Sequence, residues 1–184
     1  MDLEKLFLSD NELMGIFRII AELDLQDCWL AAGTLRNYIW NILSDRPGLE
    51  DASDLDVVFY DPRISYEQTL DIQENLQQVY PKYKWEVKNQ VYMHIHSPNT
   101  LPYQSARDAI AKYPERCTAI AGRLNKEGYL ELFLPYGTED ITNFILAPTP
   151  HFAEDLERME LYKSRLTKKN WLNRWPQLRE NDLR

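Results

Sequence analysis

The sequence predicts an α+β fold, a mixed β-sheet covered by helices, and three observations predict it. Residues 28–32 form a short apolar run of strand type, closed by Gly33 and Thr34, that passes directly into helical spacing over 35–43. The stretch 54–60 opens on two acids and continues as Val57, Val58, Phe59 and Tyr60, apolar on both faces like a central covered strand. Residues 84–96 alternate, with Trp85, Val87, Val91, Met93 and Ile95 on one side and Lys84, Glu86, Lys88, Gln90, Tyr92, His94 and His96 on the other, which reads as a third strand.

Taken in order, residues 10–24 begin at a Ser9 or Asp10 cap and carry Leu13, Ile16, Phe17, Ile20 and Leu23 on one stripe, an amphipathic helix whose apolar face belongs to the core. Between 41 and 53 the chain is rich in Asp, Pro, Gly and Ser and reads as a surface loop, either an ordinary connection or a cover for a nearby site. Pro62 ends the acidic strand, 66–79 is helical through Leu70, Ile72, Leu76 and Val79, and Pro81 stops it. In the third strand Asn89 falls on the apolar side, where a buried amide needs partners, so it is expected to fix local structure.

Residues 97–103 form a loop and 105–112 a short helix with Arg107 and Asp108 exposed. The runs 118–124 and 129–134 flank Asn125-Lys126-Glu127-Gly128, a hairpin signal. Residues 135–140 open a further short helix with Thr138 as its cap, and Tyr136 there is either a base-stacking ring or a side chain under a turn. Ala147-Pro148-Thr149-Pro150 is a stiff connection to a helix over 152–166. Beyond it, Arg158, Lys163, Arg165, Lys168, Lys169 and Arg174 give a local positive balance interleaved with Trp171 and Trp175. Such a segment can hold polyphosphate or a single strand, although the tryptophans read more simply as anchors of the tail.

The chain has 184 residues, enough for one ordinary domain with a sizeable core. We therefore expect a single domain over 1–184, with 147–184 as a helical extension packed on it. Its apolar runs are only of strand length, so no membrane span is expected, and the acidic start lacks the basic opening of a signal peptide. A cytoplasmic address is the resulting expectation. Cys28 and Cys117 are the two cysteines, and free thiols fit them better than a disulfide framework. A net charge of −8 argues against a protein that coats nucleic acid, but leaves room for a local basic site.

The chemistry concentrates between Trp29 and Asp61. The glycine turn leaves the first N–H groups of the helix at 35–43 without intrahelical partners, and their dipole favours an anion there. Gly33 gives that anion room, and the Thr34 hydroxyl can donate to it. On the next strand Asp54 and Asp56 point to one face and Leu55 to the other. Two carboxylates on one face suit Mg²⁺, which takes oxygen ligands in octahedral geometry and completes its shell with substrate phosphates. Haloacid-dehalogenase-type phosphatases and nucleotide-sugar glycosyltransferases place their acid pair at the carboxyl end of a hydrophobic strand. Here Glu50, Asp51, Ala52 and Ser53 precede the pair, which therefore opens its strand. The pair His94-x-His96 lacks further ligands at a convincing spacing, and His151 stands alone, so neither is given a metal.

These residues resemble the nucleotidyltransferase superfamily of the DNA polymerase beta type, in which a Gly-Ser or Gly-Gly turn opens a helix and Asp-x-Asp follows on the next strand. Ala32-Gly33-Thr34-Leu35-Arg36-Asn37 with Asp54-Leu55-Asp56 is similar to the Gly-Gly-x-Val-Arg-Asp and Asp-x-Asp pair of tRNA CCA-adding enzymes. Nearly the whole chain resembles a family of small bacterial nucleotidyltransferase-like proteins of undefined substrate. That similarity runs through Ala32-Gly33, Arg36-Asn37, Trp40, the 54–61 strand, residues 85–90, Pro135-Tyr136-Gly137 with Asp140, Trp171 and Trp175-Pro176. Thr34 stands where the superfamily usually has Ser or Gly, and the gap before Asp54 is long.

The resemblance implies a nucleotidyltransferase-type core and its reaction. An acceptor hydroxyl attacks the α-phosphorus of a nucleoside triphosphate and displaces pyrophosphate, with Mg²⁺ (or Mn²⁺) stabilising the entering and leaving oxygens. It assigns Asp54 and Asp56 to metal, Glu86 to the third acid that takes the acceptor proton or completes the metal site, and Gly33 with Thr34 to the β- and γ-phosphates. Read from the strand alone, Glu86 is equally a solvent-facing acid paired with a lysine. Arg36 either neutralises phosphate or ties its helix to an acid of the core. The acceptor stays open among small molecule, protein and RNA, although the chain lacks room for the extra tRNA-binding domains of CCA-adding enzymes. The reading from another class is a nucleotide-binding module on the same fold without turnover.

Overall fold

Strands β1 (Trp29–Ala31), β2 (Asp54–Phe59), β3 (Lys84–Asn89), β4 (Ala121–Leu124) and β5 (Leu130–Phe133) form one sheet, ordered β3-β2-β1-β4-β5, in the computed structural model, which describes residues 1–50 and 54–181. β2 and β3 are parallel, and the other three pairs are antiparallel, so the sheet is mixed as expected. The parallel pair needs a crossover, which α4 (Tyr66–Val79) supplies. Helices α1 (Leu3–Leu8), α2 (Asn11–Glu22) and α3 (Gly33–Leu43) precede it, and α5 (Ala106–Ala111) follows. The C-terminal part adds α6 (Glu139–Thr142), β6 (Ile145–Leu146), α7 (Pro150–Ala153), α8 (Leu156–Lys169), α9 (Trp171–Arg174) and β7 (Arg179–Glu180), with β6 and β7 paired in parallel.

Alternation divides the sheet into two unlike faces. Leu30, Leu55, Val57, Phe59, Trp85 and Val87 enter a large core with Phe17, Leu35, Trp40 and Leu76. Trp29, Ala31 and Val58 point the other way, into a smaller cluster with Ala106, Ile110 and Ala119. The acids of β2 belong to this second face, where the apolar filling is thinner. Side chains cap most of the longer helices: Asp10 accepts from Leu13 N at 3.0 Å, which selects it over Ser9, and Ser65 with Gln68 makes a reciprocal capping box.

Three expected elements change on folding. The strand predicted over 84–96 stops at Asn89, and Gln90–His96 coil into a 3₁₀ helix. Asn89 is the cause. Its amide nitrogen donates to Asp61 O at 2.8 Å and Ile64 O at 3.1 Å, and its oxygen accepts from Val91 N at 3.3 Å, which turns the chain out of the sheet. The helix predicted over 152–166 is two helices, because Asp155 accepts from Arg158 N at 3.0 Å and starts α8 afresh. The hairpin survives in shorter form as β4 and β5, with Gly128 at φ +83° in its turn, whereas Arg116–Thr118 form a 3₁₀ turn.

The loop expected over 41–53 begins later, since α3 runs on to Leu43, and residues 51–53 lie outside the described residues. Asn41 is buried and donates to Gly48 O at 3.1 Å and Glu50 O at 3.3 Å. Trp175 Nε1 donates to Asn41 Oδ1 at 3.3 Å, and Trp40 meets Trp171 and Trp175 at ring-centroid distances of 5.9 and 5.0 Å. The C-terminal tryptophans therefore fill the main core and hold α9 against α3. Cys28 and Cys117 are free thiols. Among the described residues no helix is long and apolar enough to cross a membrane.

Candidate active site

The parallel register of β2 and β3 sets Asp54 opposite Lys84 and Asp56 opposite Glu86. Alternation then places Asp54, Asp56, Glu86 and Lys88 on one face of two neighbouring strands. That face opens into a cavity of about 500 Å³ lined also by Gly33, Arg36, Tyr113, Arg165, Lys169 and Trp171. β2 and β3 contribute its acids, α3 its N-terminal wall, and α7, α8 and α9 the opposite side.

The turn into α3 is tied to the acids by a single side chain. Thr34 Oγ1 donates to Asp54 O at 3.1 Å and accepts from Asp56 N at 3.0 Å, so its proton is committed to the strand and is not offered to an anion as the sequence suggested. The hydroxyl instead fixes the spacing between the helix start and the two carboxylates. No side chain caps α3, and Ala32 enters it at φ 52°, ψ −124°. This conformation costs an alanine on the order of 1–3 kcal/mol and a glycine little. Ala32→Gly is therefore expected to raise the unfolding free energy by about 1 kcal/mol, read by urea titration; a destabilised variant would mean that the turn relaxes in solution.

Gly33 faces the centre of the site. A Cβ built there would lie 3.4 Å from both Arg36 Nη2 and Asp56 Oδ2, so helix start, guanidinium and carboxylate meet around one small gap. Arg36 is buried, its Nη1 donates to Thr118 Oγ1 at 2.8 Å, and Nε and Nη2 both donate to Asn37 Oδ1. Its guanidinium also lies over the rings of Trp40 and Trp171, at 5.1 and 4.3 Å. Thr118 in turn donates to Glu115, a wholly buried carboxylate that accepts from Arg165 Nε at 2.9 Å. Arg36 is thus linked to a core acid through Thr118, and its guanidinium borders the cavity.

Charge in the site is uneven. Burial, and after it the charge of Glu86, push the Asp56 carboxyl up to about 6, with Lys88 and Arg36 only partly opposing them. Asp54 Oδ1 is shielded from solvent and accepts no hydrogen bond, although Lys84 Nζ lies 3.3 Å away. Glu86 leans on Lys88, with Oε2 3.6 Å from Nζ. The three carboxylates share a cavity wall without closing on one point: among the described residues no three His, Cys, Asp or Glu side chains are gathered tightly enough to hold a metal alone. The lysines on β3 explain the difference from the expected three-acid group, since each draws one outer carboxylate aside.

Five cationic side chains, Arg36, Lys88, Lys112, Arg165 and Lys169, line the same cavity in a chain of net charge −8. Lys88 was within reach of sequence reasoning, two residues beyond Glu86 on an alternating strand. Glu115, Thr118 and Lys112 carried no local signal, because only the tertiary fold brings them here. Other candidates are structural. Arg158 is buried and donates to the carbonyls of Pro98 and His151, each at 2.8 Å; Tyr136 donates to Ala111 O; Asp140 pairs with Arg116 Nε at 3.0 Å. His94 and His96 sit on the 3₁₀ helix, where their expected common strand face does not exist.

A family model described as nucleotidyltransferase matches residues 18–179. The chain belongs to that family. Transfer of nucleotidyl groups from nucleoside triphosphates is accordingly the activity class of this nucleotidyltransferase. A solved structure described as revealing a CCA-adding enzyme head domain is similar to it over 98% of this chain and 95% of that one, at 52% identity and a TM-score of 0.92. A CCA-adding enzyme in complex with CTP and a tRNA-processing enzyme in apo form share the fold at 14% and 15% identity, with TM-scores of 0.55 and 0.53. This nucleotidyltransferase covers 95% and 91% of its own length in those matches but only 48% and 42% of theirs, so it spans under half of each. No curated protein sequence matches it.

Proposed function

We propose that this protein is a metal-dependent nucleotidyltransferase that moves a nucleoside monophosphate from a triphosphate to an acceptor hydroxyl and releases pyrophosphate. The observation that carries the reading is the Asp56 carboxylate, held beside the open gap at Gly33 with too little positive charge to balance it. An all-oxygen donor set with a shielded Asp54 oxygen that accepts no hydrogen bond suits Mg²⁺ or Mn²⁺. Asp54 and Asp56 would hold that ion, with triphosphate oxygens supplying the ligands that the protein does not. The ion, when bound, would neutralise phosphate charge as pyrophosphate leaves.

The chain's own residues do the rest. The uncapped start of α3 at Gly33 receives the β- and γ-phosphates on its backbone N–H groups, Thr34 keeps that start in register with the acids, and Arg36 adds positive charge from behind. Glu86, paired in register with Asp56, would take the acceptor proton or help Asp54 and Asp56 hold the ion. The chain acts as one nucleotidyltransferase-like domain, with 147–181 as the described part of an extension packed on it, because Trp171 and Trp175 belong to the core that also holds α3. A cytoplasmic address accords with free cysteines.

Calorimetric titration tests the reading. Triphosphate should bind tightly only with Mg²⁺ or Mn²⁺, and Gly33→Val should weaken triphosphate binding by about tenfold or more while leaving a monophosphate nearly unaffected, since the added methyls fill the gap beside the phosphate-binding N–H groups. Equal affinity with and without metal in the wild type would defeat the proposal. Equal weakening of both nucleotides in a folded Gly33→Val protein would remove the turn from it.

A further inference from the structure

A further cavity of about 410 Å³ lies between α4 and the 3₁₀ helix Gln90–His96 and borders the first, since Lys88, Met93 and His96 line both. Its apolar walls are Tyr66 and Leu70 of α4, Val87 of β3, and Met93, with Thr69, Gln73 and Asn89 among its polar groups. Tyr66 and Leu70 are exposed at 60% and 47%, so the apolar side of the groove is open to solvent. Of the shared residues, Lys88 sits two residues from Glu86 on the same strand face.

Location and chemistry together identify an occupant. If Glu86 takes the proton of the acceptor hydroxyl, the acceptor must approach from the β3 side, because Gly33 and Arg36 occupy the side given to the triphosphate. The groove lies on that β3 side. Among the described residues Lys88 is the only Lys or Arg that lines it, and α4 contributes Tyr66, Thr69, Leu70 and Gln73, none of them charged. A polyanion needs a row of cations to neutralise successive phosphates, and the groove offers Lys88 alone among its described lining residues. A mostly apolar cavity of this size with one cation and a few polar groups is instead the profile of a small-molecule site.

We infer that the groove between α4 and the 3₁₀ helix is the acceptor subsite, and that the acceptor is a small hydroxyl compound with an apolar or aromatic body and at most one anionic group, the latter placed on Lys88. This deepens the transferase reading above and rests on it. The acceptor oxygen forms a bond to the α-phosphorus while the bond from that phosphorus to the α–β bridging oxygen breaks. Pyrophosphate leaves with the electron pair, and the hydroxyl proton passes to Glu86.

Benzyl alcohol serves as the probe, with protein loaded with Mg²⁺ and a non-hydrolysable triphosphate. In amide-resolved NMR titrations it should shift the signals of Leu70, Val87 and Met93 saturably. Leu70→Arg should weaken that response by about tenfold or more while triphosphate affinity stays within about twofold. With labelled hydrolysable triphosphates, benzyl alcohol at high concentration should yield a labelled nucleotide ester, and Leu70→Arg should reduce it in parallel. The inference is overturned if the alcohol leaves the groove signals unmoved, or if a short single-stranded oligoribonucleotide shifts them instead. Metal-independent triphosphate binding, measured separately by calorimetry, defeats the transferase reading and is not confused with either result.

Discussion

Asp56→Asn is expected to abolish the metal dependence of triphosphate binding while making the ligand-free protein more stable. The two effects have one cause. Burial and the nearby Glu86 charge hold the Asp56 carboxyl at about 6 in the folded chain, against roughly 3.9 for an unfolded aspartate. An acid raised in this way binds its proton more tightly folded than unfolded. Its contribution is therefore most favourable below about pH 4, declines as the pH rises through about 6, and is a full penalty at pH 7. Asparagine removes the charge and the penalty, worth on the order of 1–2 kcal/mol after allowance for partial exposure, or a few degrees in Tm. The gain should fade between pH 7 and pH 5 as the wild-type carboxyl takes up its proton.

The same titration governs the ligand. A proton and a divalent cation compete for Asp56, so metal-dependent triphosphate affinity in the wild type should fall as the pH drops through about 6. Thermal unfolding at pH 5 and pH 7, with and without Mg²⁺ and triphosphate, reads both effects. An Asp56→Asn protein less stable than wild type at pH 7 would show that the carboxylate is compensated in solution, and the argument for a cation there would fail. Stability sacrificed at one buried acid is characteristic of a site arranged for a ligand.

Much of this site was legible in sequence because it rests on short-range geometry. Alternation alone puts Asp54 and Asp56 on one face, and the apolar run after them marks a strand covered on both sides, as Val57, Val58 and Phe59 are. The glycine turn with its helix was equally local. The third strand was overlong because Asn89 keeps the alternating pattern while its amide bonds to Asp61 and Ile64, partners that periodicity does not reveal. Thr34 was given an anion for a similar reason: its place at a helix start was visible, but its bonds to Asp54 and Asp56 span the 20 and 22 residues that no local rule measures. Charge balance marked Arg165 as part of a basic segment, but its partner Glu115 lies 50 residues away and carries no local signal that brings it to the cavity.

Glu86→Gln is expected to leave triphosphate binding intact and to lower the transfer rate by a factor on the order of 10²–10⁴, the scale of a lost general base. Glu86 stands directly opposite Asp56 on a parallel neighbour and lines the same cavity, yet it leans on Lys88 at 3.6 Å and not on the two aspartates. Asp54 and Asp56 can therefore hold the nucleotide-associated ion without it, whereas the acceptor hydroxyl needs a group to receive its proton. Two other acids on or beside the sheet are engaged elsewhere: Asp61 accepts from Arg63 Nε at 3.0 Å, and Glu131 accepts from Arg123 Nε at 3.0 Å. Glutamine keeps the size of the side chain and its reach to Lys88, so a loss of rate with unchanged triphosphate affinity isolates the carboxylate's role in turnover. An unchanged rate would remove Glu86 from catalysis. Loss of affinity in equal measure would place it among the nucleotide's own ligands, and a binding module without turnover would then account for the site as well as a transferase does.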